Sequence, residues 1–206
     1  MKQTQTRIEM KKTILALFLV FALTSCDILN QIGGAYQLTQ CEYKYNTINN
    51  IQLAGMNLAD GKSISMSNFA ALSSILMGGT MQTIPLSMTL NLDVKNPNQA
   101  TALLSALDYA IEINGMDFTT GKVDIPLRVE AGQTSVLPIT IGVDLKNLMN
   151  RYSRDRVAKE MGGFLGLSSN ETKVTVKLWP KVMVGNSLIK VPAAIPVSFT
   201  FGGGGK

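Results

Sequence analysis

One stretch of the chain alternates strictly between apolar and polar side chains. Its apolar positions are Ile84, Leu86, Met88, Leu90, Leu92 and Val94. Successive side chains of a β-strand point to opposite faces, so this period of two predicts a long strand with one buried face. Pro85 stands at the start, where a missing amide donor is tolerated. Asn96-Pro97-Asn98 ends the strand, because proline cannot donate to the ladder and asparagine favours turns.

Further strand-like or alternating runs occupy most of the remaining chain. They lie at residues 43–48, 51–58, 109–113, 123–129, 137–145, 174–184 and 189–201. Asn114-Gly115 is a strong hairpin signal, and Gly185-Asn186 predicts a second turn. Pro192 and Pro196 mark a sheet edge or a bulge in the last run. Several half-buried strands separated by turns predict a mainly β fold, an antiparallel β-sandwich with Greek-key-like connections.

Two segments have helical patterns instead. In the first, Ser67 can cap an apolar stripe of Phe69, Leu72 and Leu76 that ends at Gly78-Gly79. The second runs from about Leu145 to Met161 and has a basic face. That face could contact anionic lipid headgroups, but Asp155 and Glu160 dilute its charge and favour packing on the sandwich. Residues 162–166 are rich in glycine and predict a flexible link.

The N-terminal region carries a secretion signal. Lys11-Lys12 precede an apolar run over residues 13–23, too short for a membrane-spanning helix. Leu23-Thr24-Ser25-Cys26 follows and is typical of a lipobox, the cleavage and lipidation signal of a bacterial lipoprotein. An ordinary cleaved signal with an incidental cysteine is the alternative. Met10 is a natural start, since the basic region follows it directly.

These signals divide the chain into four parts. We expect a lipoprotein signal peptide over residues 1–25 and a lipidated tether over 26–41. A single β-sandwich domain is expected over 42–201 and a disordered tail over 202–206. Asp27 after the cysteine retains lipoproteins at the inner membrane of some bacteria, so the choice between inner and outer membrane stays open.

Composition excludes several classes of chemistry. The chain contains no histidine, which excludes histidine-based triads and a histidine general base. Cys41 is the one thiol besides Cys26 and has no cysteine or histidine partner, so neither a zinc site nor an intrachain disulfide is expected. The carboxylates are scattered singly, as on solvated strand faces. We expect no catalytic residues, no metal and no cofactor.

The net charge also bears on partners. It is +5 for the whole chain, and residues 1–25 contribute +3 of it (Lys2, Arg7, Lys11 and Lys12 against Glu9). The processed chain is therefore close to neutral, and nucleic acid is not an expected partner.

The residues from Leu90 to Val94, followed by Asn96-Pro97-Asn98, resemble the late embryogenesis abundant group 2 family, whose core is also called the WHy (Water stress and Hypersensitive response) domain. The family pattern continues through an aromatic-containing strand (Asp108–Ile113), Asn114-Gly115 and Gly121. The likeness is good over residues 83–145 and looser over 43–201. It implies a fibronectin-III-like or immunoglobulin-like sandwich with one or two helices. It also implies no enzyme activity and a link to desiccation and stress protection.

The functional expectation combines these observations. The chain is predicted to be a non-catalytic envelope protein outside the cytoplasm, attached to the membrane by lipid on Cys26 and acting as a binding or structural module. Two alternatives stay open. Six methionines (Met56, Met66, Met77, Met81, Met88 and Met116) suit a carrier of lipid or another hydrophobic ligand. Exposed sheet edges or the 145–161 helix would suit a scaffold subunit of an envelope complex.

Overall fold

The computed structural model describes residues 33–34, 36–59, 70, 74–75, 81–165, 170–184 and 186–201. The signal peptide, the lipobox (Leu23, Thr24, Ser25 and Cys26), most of the helix predicted after Ser67 and the 202–206 tail lie outside these residues. The strands are β1 (Glu42–Leu53), β2 (Met56–Ala59), β3 (Pro85–Lys95), β4 (Ala102–Leu104), β5 (Ala106–Ile113), β6 (Met116–Val123), β7 (Leu127–Val129), β8 (Thr134–Asp144), β9 (Thr172–Val184), β10 (Ser187–Lys190) and β11 (Ile195–Phe201). The helices are α1 (Leu145–Tyr152) and α2 (Arg154–Phe164).

These strands form two antiparallel sheets. The first has the order β2-β1-β3-β8. In the second, β9 pairs on one side with β5, which pairs in turn with β6. On its other side β9 pairs with β11 and then, further along, with β10. A short ribbon of β4 and β7 lies beside them. Buried side chains from both sheets form one hydrophobic core, which confirms the predicted β-sandwich.

The central strand β3 follows the alternation of the sequence. Leu86, Met88, Leu90, Leu92 and Val94 are at most 1 % exposed. Full burial of such a side chain contributes about 1.5–3 kcal/mol. A one-residue slip would turn all of these side chains to the other face, so the pattern also sets the register of β3 against β1 and β8.

The strand predicted over residues 123–129 is wrong in its extent. The structure has a longer strand, β6, directly after Asn114-Gly115, and only the three residues of β7 after Pro126. Asn114 and Gly115 both have positive φ (46° and 72°), as a tight two-residue hairpin requires. Pairing therefore resumes at once between Ile113 and Met116.

The single helix predicted from Leu145 to Met161 is two helices. Ser153 has φ 72° and ψ 153°, which breaks the helical path between α1 and α2. The link predicted over residues 162–166 is wrong in its first part, since α2 continues through Gly162 and Gly163 to Phe164. A β-carbon at Gly163 would overlap the Thr172 hydroxyl, so glycine permits close packing of α2 on β9. Buried Leu148, Val157 and Met161 show that the helices pack on the sandwich.

The packed structure includes part of the segment predicted as a tether. A helical turn at residues 36–39 places Leu38, only 2 % exposed, in the core. The Tyr43 hydroxyl donates to the Leu38 carbonyl at 2.8 Å. Just before the turn, Gly34 lies against Leu103 of β4. The chain therefore enters the fold beside the β4–β7 ribbon.

The sandwich has two distinct ends. At one, which we call the helical end, Pro85 pairs with Asp144 and α1 begins. At the other, the Asn96 end, lie the Asn96-Pro97-Asn98 turn, the β4–β7 ribbon, the helical turn at 36–39 and the β9–β10 hairpin. Hydrogen bonds from Asn98 to Gln37 and from Ser105 to Lys181 connect these segments.

Candidate functional site at the Asn96 end

The Asn96 side chain is fully buried and is the centre of a hydrogen-bond network. Its Nδ2 donates to the carbonyls of Ala100 and Val129, each at 2.9 Å. Its Oδ1 accepts from the backbone N and the Nδ2 of Asn98, at 3.0 and 2.9 Å. Two donors and two acceptor positions are the full capacity of an asparagine side chain. The predicted turn motif is therefore structural.

This network positions the surrounding segments. The Asn96 backbone N donates to Gln133, and its carbonyl accepts from Gly132, which joins β3 to the turn before β8. Asn98 Nδ2 also donates to the Gln37 carbonyl at 3.1 Å, which fastens the helical turn. Pro97 is exposed between the two asparagines. The motif thus brings together the N-terminal turn, the ribbon and the end of β3.

An open groove of about 440 Å³ lies between the ribbon and the β9–β10 hairpin. Its wall is formed by Leu103, Leu104, Ser105, Pro126, Leu127, Arg128, Val182 and Met183. Most of these side chains are apolar. Arg128 forms an ion pair with Glu130 (2.6 Å), which also accepts a hydrogen bond from Thr101. The hydrogen bond from Thr101, followed by that from Arg128, lowers the pKa of Glu130.

The interior near this groove is filled. The space enclosed by Leu38, Tyr43, Leu104, Leu107, Leu127, Leu137, Leu178 and Pro180 measures only about 10 Å³. A cavity of that size holds about one water-sized probe. The groove is therefore a surface feature at this point.

The β9–β10 hairpin extends beyond the sheet. The pairing of β9 with β5 ends at Lys181, and the following residues of β9 pair with β10. Met183 lies opposite Leu188, and Val182 lies opposite Ile189. Met183, Leu188 and Ile189 are 40 %, 46 % and 48 % exposed. We call residues 182–184 and 186–189 the hairpin arm; it exposes the apolar side chains of Met183, Leu188 and Ile189 together with the polar Asn186 and Ser187.

A cluster of charges marks the base of this arm. Asp108 of β5 accepts from Lys181 Nζ at 2.5 Å and forms an ion pair with Lys190 at 3.1 Å. The hydrogen bond from Lys181 is the main reason why the pKa of Asp108 is lowered. Lys190 Nζ also lies 4.8 Å from the centre of the Trp179 ring. The sequence alone predicts a solvated carboxylate at Asp108, because its pairing with the lysines depends on the register of β5 and β9.

Cys41 is buried at the end of the helical turn. Its thiol lies 3.4 Å from the Gln37 carbonyl, in the geometry of a weak donor. Burial raises the pKa of Cys41 to about 11, so the thiol is neutral at physiological pH. Cys41 is therefore a free, buried thiol that packs as a small hydrophobic side chain.

The described part of the chain contains no group of three or more His, Cys, Asp or Glu side chains that could hold a metal ion. Within the same residues, no helix is both long enough and apolar enough to cross a bilayer.

A family model described as late embryogenesis abundant protein, LEA_2, matches residues 91–198, from β3 into β11. Similar solved structures include an Archaeoglobus fulgidus protein (17 % identity, 60 % of this chain and 88 % of the other, TM-score 0.34). An Arabidopsis thaliana protein has 12 % identity over 78 % of this chain and 80 % of its own, with TM-score 0.38. A putative late embryogenesis abundant protein has 10 % identity over 91 % and 88 %, with TM-score 0.36. Comparison with curated proteins finds no match. The model match covers more than half of the chain, which therefore belongs to the LEA_2 family of late embryogenesis abundant proteins.

Proposed function

We propose that this chain is a lipid-anchored, non-catalytic protein of the bacterial envelope whose LEA_2 domain is a binding or structural module in stress protection, above all against desiccation. The observation that carries the proposal is Leu23-Thr24-Ser25-Cys26 directly after a basic and then apolar segment. The match to the late embryogenesis abundant family model supports a stress role as the function of the anchored domain.

The position of the first packed residues supports an anchored arrangement. Gly34 and Leu38 already contact the domain, only a short chain length after Cys26. An acyl group on Cys26 would therefore hold the sandwich close to the membrane surface.

The polar groups of the domain support a non-catalytic role. Asn96 uses all of its hydrogen-bonding capacity within the fold. Asp108 is paired with two lysines, and Glu160 accepts a hydrogen bond from Asn114 at 2.5 Å. These side chains have structural partners that account for them.

Metabolic labelling with a palmitate analogue tests the anchor. The wild-type protein should take up the label and sediment with membranes, and Cys26→Ala should lose both properties. Cys41→Ala is the matched control, because Cys41 is buried and its thiol is neutral. Label retained by Cys26→Ala, or absent from the wild type, would refute lipidation at Cys26.

The stress role needs a separate test. A strain that lacks the gene should survive drying less well than its parent, and the wild-type gene should restore survival. A gene with Cys26→Ala should restore less, since the domain would no longer be held at the membrane. Equal survival of the deletion strain and its parent would argue against stress protection.

Carriage of a hydrophobic ligand is a second candidate, favoured by the apolar groove of about 440 Å³. Native mass spectrometry of protein extracted from membranes tests it. A carrier would retain a noncovalent apolar molecule, and Leu103→Asp in the groove wall would release it. Mass corresponding to the acylated chain alone would exclude this candidate.

A further inference from the structure

The path of the N-terminal segment determines which end of the sandwich lies nearest to the anchor. A β-carbon at Gly34 would lie 2.8 Å from the Leu103 β-carbon, and Leu103 lines the groove. Gly33 is seven residues after Cys26. Seven residues span at most roughly 25 Å, even when fully extended. The anchor therefore stays close to the Asn96 end.

The helical end is farther away. β3 has 11 residues and runs between the two ends. At about 3.4 Å per residue it separates them by roughly 37 Å. The basic face of α1 and α2 is therefore at the end remote from the anchor, and the hairpin arm is at the near end.

The arm has the character of a membrane-contacting element. From Val182 to Ile189 the chain contains no charged residue, and lysines bound this stretch at positions 181 and 190. Lys181 and Lys190 lie opposite each other at the base of the arm. Ile125, 53 % exposed, and Pro126 on the other side of the groove add apolar surface at the same end. Exposed Met183, Leu188 and Ile189 along the arm, with polar residues at its turn and lysines at its base, suit a shallow position between acyl chains and headgroups.

The charges indicate how such a contact would be made. Both lysines pair with Asp108, so the base of the arm has little net positive charge. Attraction to anionic lipid is therefore weak, and burial of apolar side chains supplies the driving force. A few apolar side chains give only weak binding by themselves. The anchor strengthens this binding because it keeps the arm near the bilayer, which raises the effective concentration of the bilayer at the arm.

We propose that the hairpin arm, with Leu188 and Ile189 at its surface, docks into the headgroup region of the bilayer that holds the anchor and sets the orientation of the domain. This inference rests on the proposed lipid anchor at Cys26. It assigns a membrane contact to Met183, Leu188 and Ile189, and it places α1 and α2 away from the bilayer.

Depth-dependent fluorescence quenching tests the orientation. The full-length acylated protein, carrying Cys41→Ala and Ser187→Cys, is labelled with an environment-sensitive fluorophore and reconstituted in phosphatidylcholine vesicles that contain acyl-chain quenchers. The label at 187 should be quenched and blue-shifted. A label at Lys159→Cys, exposed on α2, should be neither quenched nor blue-shifted. Equal quenching at both positions would overturn the proposal.

Substitutions then identify the side chains responsible. Leu188→Ser with Ile189→Ser should remove most of the quenching at position 187. Val136→Ser, which changes an exposed apolar side chain on β8, should leave it unchanged. Unchanged quenching in the double variant would overturn the assignment to the arm. Circular dichroism confirms that each variant is folded.

The same labelled protein in phosphatidylcholine vesicles, in vesicles with added anionic lipid and in native membranes supplied with the quencher lipids separates the possible failures. Protein that does not float with vesicles and carries no acyl group refutes the anchor. Protein that floats but shows no quenching at 187 leaves the anchor intact and overturns docking. Quenching that requires anionic lipid would point to the lysines instead and overturn apolar docking. Quenching only in native membranes would show that another membrane component is required and likewise overturn it.

Discussion

At the scale of one residue, Asn96 shows why a turn position can require one particular amino acid. Its amide group must donate to carbonyls from two segments and accept twice from Asn98. Aspartate would place an oxygen against the carbonyls of Ala100 and Val129, and serine is too short to bridge them. The residue is therefore specified by hydrogen-bonding geometry within a buried site.

Replacement of Asn96 by alanine should be strongly destabilising. Buried groups left without a partner cost about 1–3 kcal/mol each, so we expect Asn96→Ala to lower the free energy of unfolding by at least about 2 kcal/mol. Urea denaturation of the unlipidated Cys26→Ala protein measures this. Asn46→Ala is the control, since Asn46 is exposed and donates to Asp93 at the surface. Equal stability of the Asn96 variant and its parent would contradict the structural role.

Asp108 gives a prediction about pH. Its pKa in the folded protein is lowered, chiefly by the hydrogen bond from Lys181. A lowered folded-state pKa contributes stability above the unfolded pKa, about 3.9, and this contribution is lost as pH falls through the folded pKa. Wild type should therefore exceed Asp108→Asn in stability at neutral pH, and the difference should shrink in acid below about pH 4. Thermal unfolding at several pH values measures it, with exposed Asp124→Asn as control. A difference independent of pH would contradict this account.

At the scale of elements, the packing of strands β5, β6 and β8 depends on close contacts of the Tyr109 side chain. The Tyr109 hydroxyl reaches from β5 to the Thr140 carbonyl of β8 at 2.7 Å and so connects the two sheets. Gly121 of β6 is Tyr109's cross-strand partner, and any β-carbon there would overlap the tyrosine ring and hydroxyl. Glycine is therefore required at position 121 because a β-carbon has no room there. Its backbone conformation does not require glycine, since its φ is not positive.

A methyl group at position 121 should therefore disturb the contact between the sheets. We expect Gly121→Ala to cost about 1–3 kcal/mol of stability, because overpacking forces side chains or backbone to move. Gly142→Ala on β8 is the matched control, since nothing lies within 4 Å of its β-carbon position. Chemical denaturation compares the two. If Gly121→Ala left the free energy of unfolding unchanged, the Tyr109 side chain could move without loss of stability.

At the scale of the whole molecule, contacts between distant segments hold the two sheets, α2 and the N-terminal turn together. Aromatic rings connect β1 of one sheet to β11 of the other, with Tyr45 5.2 Å from Phe199 and 5.0 Å from Phe201. Phe201 in turn packs on Phe164 of α2 at 5.4 Å. At the opposite end, Leu38 fills the core from the N-terminal side. The helical turn at residues 36–39 is thus a structural part of the domain.

Leu38 should therefore contribute as a core residue. Removing a buried leucine side chain costs about 2–5 kcal/mol, and we expect Leu38→Ala to fall within this range. Tyr36→Ala in the same helical turn should have little effect, because Tyr36 is 61 % exposed. Urea midpoints of the two variants distinguish a packed turn from a loose tether. Equal midpoints would contradict packing of this segment.

Features set by neighbouring residues could be predicted from the sequence. Alternation located β3, because strand side chains point to opposite faces. Asn114-Gly115 located a hairpin, because both residues tolerate positive φ. The break at Ser153 and the helical Gly163 could not be located, since they depend on packing between distant segments. Of the candidate site at the Asn96 end, the sequence alone indicated the Asn96-Pro97-Asn98 turn.

The sequence by itself determined the fold class, the main strands and the family, because each rests on local periodicity and turn chemistry. Only the tertiary structure decided the partners of Asn98, 61 residues from Gln37, and of Asp108, 73 residues from Lys181. It also placed the groove and the hairpin arm beside the entry of the N-terminal segment. These features depend on which strands become neighbours, and strand register is a property of the folded chain as a whole.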